Sequence, residues 1–259
     1  MNIGIIADGN GRYGVKTDGS RLAGYKHGAD AILRLMRAQK ELGIEYMTVF
    51  VFSQDNFNRP KEEVETIFKT VGDYFETEVL FLAKLLLLKC KIVGDWSAFP
   101  EEFRDVCENL ELETKDYTQT LSFAINYSGR DEICKAAQLA AAAYTMDVSS
   151  RLDETVFNLL KEVDFMPHVN SLESITQRER SYAKHFDIEK YLSTAGYPDP
   201  DIIIRYGDKK RLSDFMLFQC AYSEIYFLKK MFPEFEKSDL EEAIAEFKNT
   251  KRTFGGISL

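Results

Sequence analysis

Ile3-Gly4-Ile5-Ile6-Ala7-Asp8-Gly9-Asn10-Gly11-Arg12 decides how this chain is read. An apolar, β-branched run stops at a carboxylate and two closely spaced glycines, the pattern of a buried strand emptying into a tight loop. The glycines let backbone N–H groups approach an anion, Arg12 adds a guanidinium, and Asp8 at the strand's end is placed to carry Mg2+. Asp8, Gly9, Asn10, Gly11 and Arg12 are therefore candidate phosphate- and metal-site residues, against the plainer reading of an Asn-Gly turn. Arg21, nine positions beyond Arg12, supplies a second guanidinium suited to forked phosphate contacts.

The same strand-then-small-residue pattern recurs. Strands are expected at Ile3 to Ala7, Tyr46 to Phe52, Lys91 to Val93, Leu121 to Ile125 and Asp201 to Arg205. Helices are expected at Gly28 to Leu42, Lys61 to Leu88, Glu101 to Lys115, Asp131 to Tyr144, Asp214 to Phe227 and Ser238 to Lys248. This alternation predicts an α/β fold with a mostly parallel sheet covered by helices on both faces. At 259 residues one domain is expected, with an insertion at about 156–184 where no period is visible. The end of the Lys61 to Leu88 pattern is apolar nearly all round, which suits a buried core helix and the wall of an apolar ligand tunnel equally well.

Bulk properties narrow the class. A net charge of -9 argues against a nonspecific nucleic-acid binder, so any anion site must be built locally. No run approaches the roughly 18 uninterrupted apolar residues of a membrane-spanning helix, which leaves at most peripheral membrane contact. Cys90, Cys107, Cys134 and Cys220 show no paired spacing and read as buried free thiols in a reducing cytoplasm. None of the three histidines has metal-ligand spacing.

Two more loops carry chemistry. After the second strand come Ser53, Asn56, Phe57 and Arg59, placed where ligands bind in open α/β sheets, although Ser53 and Asn56 also suit a helix cap. After the last expected strand comes Arg205-Tyr206-Gly207-Asp208-Lys209-Lys210-Arg211-Leu212-Ser213, whose cations around a glycine turn suit a second diphosphate or a solvated basic turn. Glu224 follows on an apolar stretch expected to be helical, where a carboxylate is costly unless it meets a metal or a cation.

The ordered set DGNGR (8–12), FSQDNFNRP (52–60), NYSGRDEI (126–133), RYGDKKRLSDF (205–215), QCAYSEIYF (219–227) and TFGG (253–256) resembles the cis-prenyltransferase family, which includes undecaprenyl diphosphate synthase. The resemblance implies a homodimer with a six-stranded-type sheet, an apolar tunnel, and transfer from an allylic prenyl diphosphate to isopentenyl diphosphate. It implies that Asp8 holds Mg2+ on the allylic diphosphate, whose oxygens sit on Gly9 to Arg12 and Arg21. It further implies that Arg205, Arg211 and Ser213 hold the acceptor diphosphate with Glu224 near the metal, that Ser53 and Asn56 line the reacting centre, and that Phe254, Gly255 and Gly256 reach toward the partner's site.

Five positions depart from the family pattern. Tyr25 stands where a histidine is usual, Tyr13 and Phe57 stand for tryptophans, and the family's Arg-x-Gly-Gly-Glu is Arg205-Tyr206-Gly207-Asp208-Lys209. A phenol with an ordinary pKa of about 10 is no base at neutral pH. A same-fold enzyme with a hydroxyl-bearing acceptor or an irregular linkage is therefore the alternative to chain elongation, and a noncatalytic binding subunit is the third reading.

Overall fold

The structure is a computed structural model that describes residues 1–151 and 188–251. Six strands form one sheet: β1 (Asn2–Ile6), β2 (Tyr46–Ser53), β3 (Leu88–Val93), β4 (Gln119–Tyr127), β5 (Ile202–Arg205) and β6 (Glu224–Phe227). Their order is β3-β4-β2-β1-β5-β6 and every pairing is parallel. The helices are α1 (Asn10–Asp18), α2 (Ala23–Glu41), α3 (Lys61–Tyr74), α4 (Leu80–Leu86), α5 (Glu101–Thr114), α6 (Gly129–Arg151) and α7 (Lys237–Asn249).

The chain divides into two compact units, Met1–Gly129 with Tyr197–Leu259, and Arg130–Gly196. The sheet belongs to the first. The described part of the second holds α6 and a single turn at Ile188–Tyr191, and within it Ser193 N–H donates to Glu132 at 2.9 Å. The insertion expected at about 156–184 lies outside the described residues.

Strand alternation explains the two faces of the sheet. Ile3, Ile5, Val49, Phe123 and Ile204 point into one large core with residues of α2, α3, α4, α5 and α7. Ile6, Phe50, Ala124 and Ile203 face the other way and pack on Phe215, Met216 and Cys220. Each fully buried isoleucine of this kind contributes about 1.5–3 kcal/mol relative to exposure, so the β1 run that opens the chain is an anchor of the whole sheet.

Three elements differ from expectation. The helix expected over Asp214 to Phe227 is absent: the segment turns with positive φ at Ser213, Asp214 and Met216, makes one turn at Gln219–Tyr222 and becomes β6. Its aromatic and β-branched end, Ile225-Tyr226-Phe227, obeys strand preference once a pairing edge is offered by β5. The long helix expected from Lys61 breaks into α3, a π-turn at Phe75–Val79 and α4, which stops at Leu87 with φ 56. Finally, Asn10 already begins a helix, because Gly9 adopts φ 106 and frees the chain to turn at once. Of the cysteines, Cys90, Cys107 and Cys220 are buried thiols as expected, whereas Cys134 is exposed.

Candidate active site

In a parallel sheet the strands end together, and ligands bind beyond those ends where the connections diverge. β1 is that point: the chain proceeds from it to β2 on one side and reaches β5 on the other. The loops after β1, β2 and β5 accordingly share one cavity of about 300 Å3. Its lining is in part polar, with Asp8, Gly9, Asn10, Gly11, Arg12, Arg21, Tyr25, Ser53, Asn56, Arg59, Arg205, Arg211 and Ser213, and in part apolar, with Ile67, Val71, Phe75, Val79 and Phe123.

The loop after β1 reaches the cavity because α1 packs against α2 backbone to backbone. A Cβ at Gly24 would lie 1.9 Å from the Asn10 carbonyl oxygen, so only glycine admits this approach. Arg205, 3% exposed, joins the loops: its Nη2 donates to Asp8 Oδ2 at 2.9 Å, and its Nη1 donates to the Arg211 carbonyl at 2.6 Å and to Ser213 Oγ at 2.7 Å. Arg12 Nη2 donates to the Gly207 carbonyl at 2.7 Å and lies 3.3 Å from Asp8 Oδ1. Burial pushes the pKa of Arg205 below its ordinary value, with the neighbouring charges of Arg211 and Arg12 adding to the effect and Asp8 opposing it. Asn10 Oδ1 and Arg205 Nε are buried without a hydrogen-bond partner among the described residues.

A second cluster centres on Glu63, 7% exposed at the start of α3. Arg21 Nε donates to both of its oxygens at 3.0 Å, Arg59 Nη1 lies 3.3 Å from Oε1, and the Tyr25 hydroxyl donates to the same oxygen. Arg59 Nη1 also donates to the Tyr25 hydroxyl at 3.0 Å. Burial, and the bond to Glu63, push the Tyr25 phenol up to about 12. Burial opposes ionisation of Glu63, but the bonds from Tyr25 and Arg21 outweigh it and hold the carboxyl below its ordinary value. Burial likewise opposes the charge of Arg21, and Glu63 and Tyr25 more than restore it. Tyr25 is therefore a neutral, fully partnered phenol in the cavity wall.

Ser53 and Asn56 serve two ends at once. They form a reciprocal capping box on the turn Gln54–Asn58, with Ser53 N–H donating to Asn56 Oδ1 at 3.1 Å, and both line the cavity. A register shift between β2 and β4 at Phe50 to Ser53 brings Ser53 opposite Tyr127, the kind of irregularity that re-aims side chains near sites.

Other expected residues fall elsewhere. Tyr13 packs edge-on against His27 at 5.2 Å, and Phe57, 39% exposed, packs on Phe52 at 5.0 Å; neither lines the cavity. Glu224 begins β6 opposite Ile202. It thus sits three residues, about 10 Å, back from the strand end where Arg205 meets Asp8. Within one chain it does not join Asp8, because the segment that carries it is a strand running toward the site and not a helix leaving it. Gly256, with Phe254 and Gly255, lies outside the described residues.

Sequence reasoning missed Glu63, which looks like one more solvated acid in Lys61-Glu62-Glu63. The available signal was its spacing of four from Arg59, which stands just before α3 and reaches back over its first turn. It also missed Phe232, whose N–H donates to the Asp8 carbonyl at 2.9 Å and whose side chain lines the cavity.

The sequence matches the family described as putative undecaprenyl diphosphate synthase (Prenyltransf) over residues 6–255. It is 35% identical to an isoprenyl transferase of Clostridium acetobutylicum over 99% of this chain and 90% of that protein. It is 33% identical to the ditrans,polycis-undecaprenyl-diphosphate synthase, (2E,6E)-farnesyl-diphosphate specific, of Micrococcus luteus over 99% of this chain and 91% of that one. Among solved structures, lavandulyl diphosphate synthase from Lavandula x intermedia in complex with dimethylallyl diphosphate superposes with a TM-score of 0.79 at 27% identity, covering 98% of this chain and 97% of that one. A probable undecaprenyl diphosphate synthase of Campylobacter jejuni gives 0.69 at 26% identity, with the same shares covered. With its family matched over nearly the whole length and the six parallel strands in place, this chain belongs to the undecaprenyl diphosphate synthase family of prenyltransferases.

Proposed function

We propose that the chain ionises an allylic prenyl diphosphate bound at Asp8, Gly9 to Arg12 and Arg21, and joins the prenyl group to isopentenyl diphosphate held by Arg205, Arg211 and Ser213. The observation that carries this reading is the cavity whose lining joins two cationic loops to a group of apolar side chains. The loops hold charge in place while the apolar residues Val71, Phe75, Val79 and Phe123 form the tunnel for the hydrocarbon. Departure of diphosphate leaves a delocalised cation, so stabilising the leaving group and holding the acceptor in line account for most of the chemistry required.

Mg2+ fits this site through one carboxylate. Asp8 is a third exposed at the strand end, and the unpartnered oxygen of Asn10 lies on the same loop. Among the described residues no group of three or more His, Cys, Asp or Glu could hold a metal; an ion held by one carboxylate is completed by substrate oxygens and water. When bound, Mg2+ neutralises the departing diphosphate; Arg12 and Arg21 orient its oxygens, and Asn56 and Ser53 hydrogen-bond at the reacting centre.

A second reading is favoured by two observations. Tyr25 is fully occupied by Glu63 and Arg59 and cannot take a proton near neutrality, and the acceptor loop carries Asp208-Lys209 with Asp208 at φ 56. The lavender relative was solved with dimethylallyl diphosphate. A second allylic diphosphate, or a hydroxyl compound, is the acceptor in this alternative. We further propose a homodimer, supported by exposed Ile225 and Phe227 on the edge strand β6 with Tyr222 beside them. Residence in the cytoplasm is part of the same proposal; among the described residues no helix is long and apolar enough to cross a membrane.

Incubation with Mg2+, a short allylic diphosphate and labelled isopentenyl diphosphate, followed by chromatography, tests the reading. Label in extended diphosphates supports elongation. Consumption of the allylic diphosphate without label in the product supports the second reading, and no consumption with any acceptor contradicts both.

A further inference from the structure

The two cationic loops, residues 8–12 and 205–211, are tied together by one short strap. Residues 228–232 leave β6 and give their backbone to both loops: the Phe232 N–H donates to the Asp8 carbonyl at 2.9 Å, and the Lys230 carbonyl accepts from the Gly207 N–H at 2.7 Å. The Leu228 carbonyl accepts from the Asp208 N–H at 3.0 Å. Gly207 passes this on, since its own carbonyl receives Arg12 Nη2 at 2.7 Å. Met231 lies so near the first loop that a Cβ on Gly9 would come within 2.8 Å of it.

A buried carboxylate holds the strap. Asp239, 7% exposed in the first turn of α7, accepts at Oδ1 from Lys230 Nζ at 2.7 Å and at Oδ2 from the Tyr206 hydroxyl at 3.1 Å and the Glu236 N–H at 3.0 Å. Tyr206 is fully buried and sits in the chain between Arg205 and Gly207. Lys230 is also held by Glu236 at 2.8 Å. Asp239 lies outside the cavity wall, so it touches neither substrate position. Three directional bonds into one buried group define a single arrangement, where apolar packing alone would let the strap slide.

We propose that Asp239 is a positioning residue: by holding Lys230 and Tyr206 it sets the spacing between the Asp8–Arg12 loop and the Arg205–Arg211 loop, and with it the separation of the two diphosphates. The inference rests on the prenyl-transfer reading above. A misplacement of about 1 Å between reacting groups can cost on the order of 10²-fold in rate, while each loop still binds its own diphosphate.

The test compares the full chain with Asp239→Asn, which keeps the cap to Glu236, and with Lys230→Met, which leaves Asp239 in place. Steady-state turnover and amide hydrogen exchange are measured on each. The expected result in both variants is exchange at Gly207 and Asp208 at least tenfold faster, with β1 and β2 amides unchanged. Turnover per folded molecule should fall about tenfold or more, with KM for the allylic diphosphate within threefold of the parent. Parental exchange at Gly207, or parental kcat in a folded variant, overturns the proposal. If the parent itself consumes no prenyl diphosphate, the functional reading fails, and the exchange result alone decides whether Asp239 holds the loops.

Discussion

Arg205 and Asp8 stand 197 positions apart in the chain and meet at 2.9 Å across the ends of β5 and β1. The arginine is almost wholly buried and its partner a third exposed, so the carboxylate faces the cavity while it neutralises a cation behind it. One side chain thus has two duties. It compensates Arg205 when the cavity is empty of substrate, and in the proposed reaction it holds Mg2+ on a diphosphate.

Asp8→Asn separates those duties. It preserves shape and one acceptor oxygen but removes the charge, leaving Arg205 short of compensation at a cost of about 1–3 kcal/mol. Turnover with Mg2+ should fall by about 10²-fold or more, on the scale of losing a main electrostatic contact to the leaving group. Thermal unfolding and steady-state kinetics on the same preparation check both; parental turnover would remove Asp8 from its assigned role.

Tyr25 carries a pH signature. Its folded pKa, pushed up to about 12, lies above the ordinary value near 10, so its contribution to stability is fully present below pH 10 and is lost as pH rises from about 10 to 12. Tyr25→Phe should lower the melting temperature at pH 8, and the gap to the parent should narrow as pH climbs through that window. A gap that stays constant between pH 8 and 12 would show that the phenol's proton is not held by Glu63.

Asp208 is a strained residue at a position where the family pattern has glycine. With φ 56 it occupies the left-handed region, although its N–H is well used by Leu228. Asp208→Gly should stabilise by roughly 0.5–1 kcal/mol, about 1–4 °C for a chain of this size, in differential scanning calorimetry. No change, or a loss, would mean that the aspartate side chain contributes more than its backbone costs.

The apolar part of the lining sets a size limit. Val71 is only partly buried and lines the cavity, so Val71→Phe can fill that space without crowding the closed core. The product or accepted donor should become shorter by one or more prenyl units while turnover of the shortest donor stays within about threefold; a parental product distribution would place the hydrocarbon elsewhere.

Much of this was legible in the sequence because it depends on local chemistry. Ile3 to Ala7 followed by Asp8-Gly9-Asn10-Gly11-Arg12 reads as a strand and then an anion loop or an Asn-Gly turn, and all five of those loop residues line the cavity. Ser53 and Asn56 read as a cap or as site residues, and the structure makes them both cap and wall. The segment after Asp214 was misread because its apolar spacing suits a helix. Only the open edge of β5, a partner distant in sequence, turns Glu224 to Phe227 into a strand. Glu63 and Asp239 were invisible for the related reason that each looks like a surface acid until its donors arrive from other elements.

Every role proposed above requires that one cavity receive both a diphosphate and its hydrocarbon. A crystal structure grown with a nonhydrolysable allylic diphosphate analogue and Mg2+ tests it most directly. The expected complex has the diphosphate within about 3 Å of Arg12, Arg21 and the loop N–H groups, the metal on Asp8, and the chain directed between Val71 and Phe75. An analogue bound at saturation with its diphosphate away from Asp8 and Arg12, or its chain lying away from the apolar lining, would contradict it.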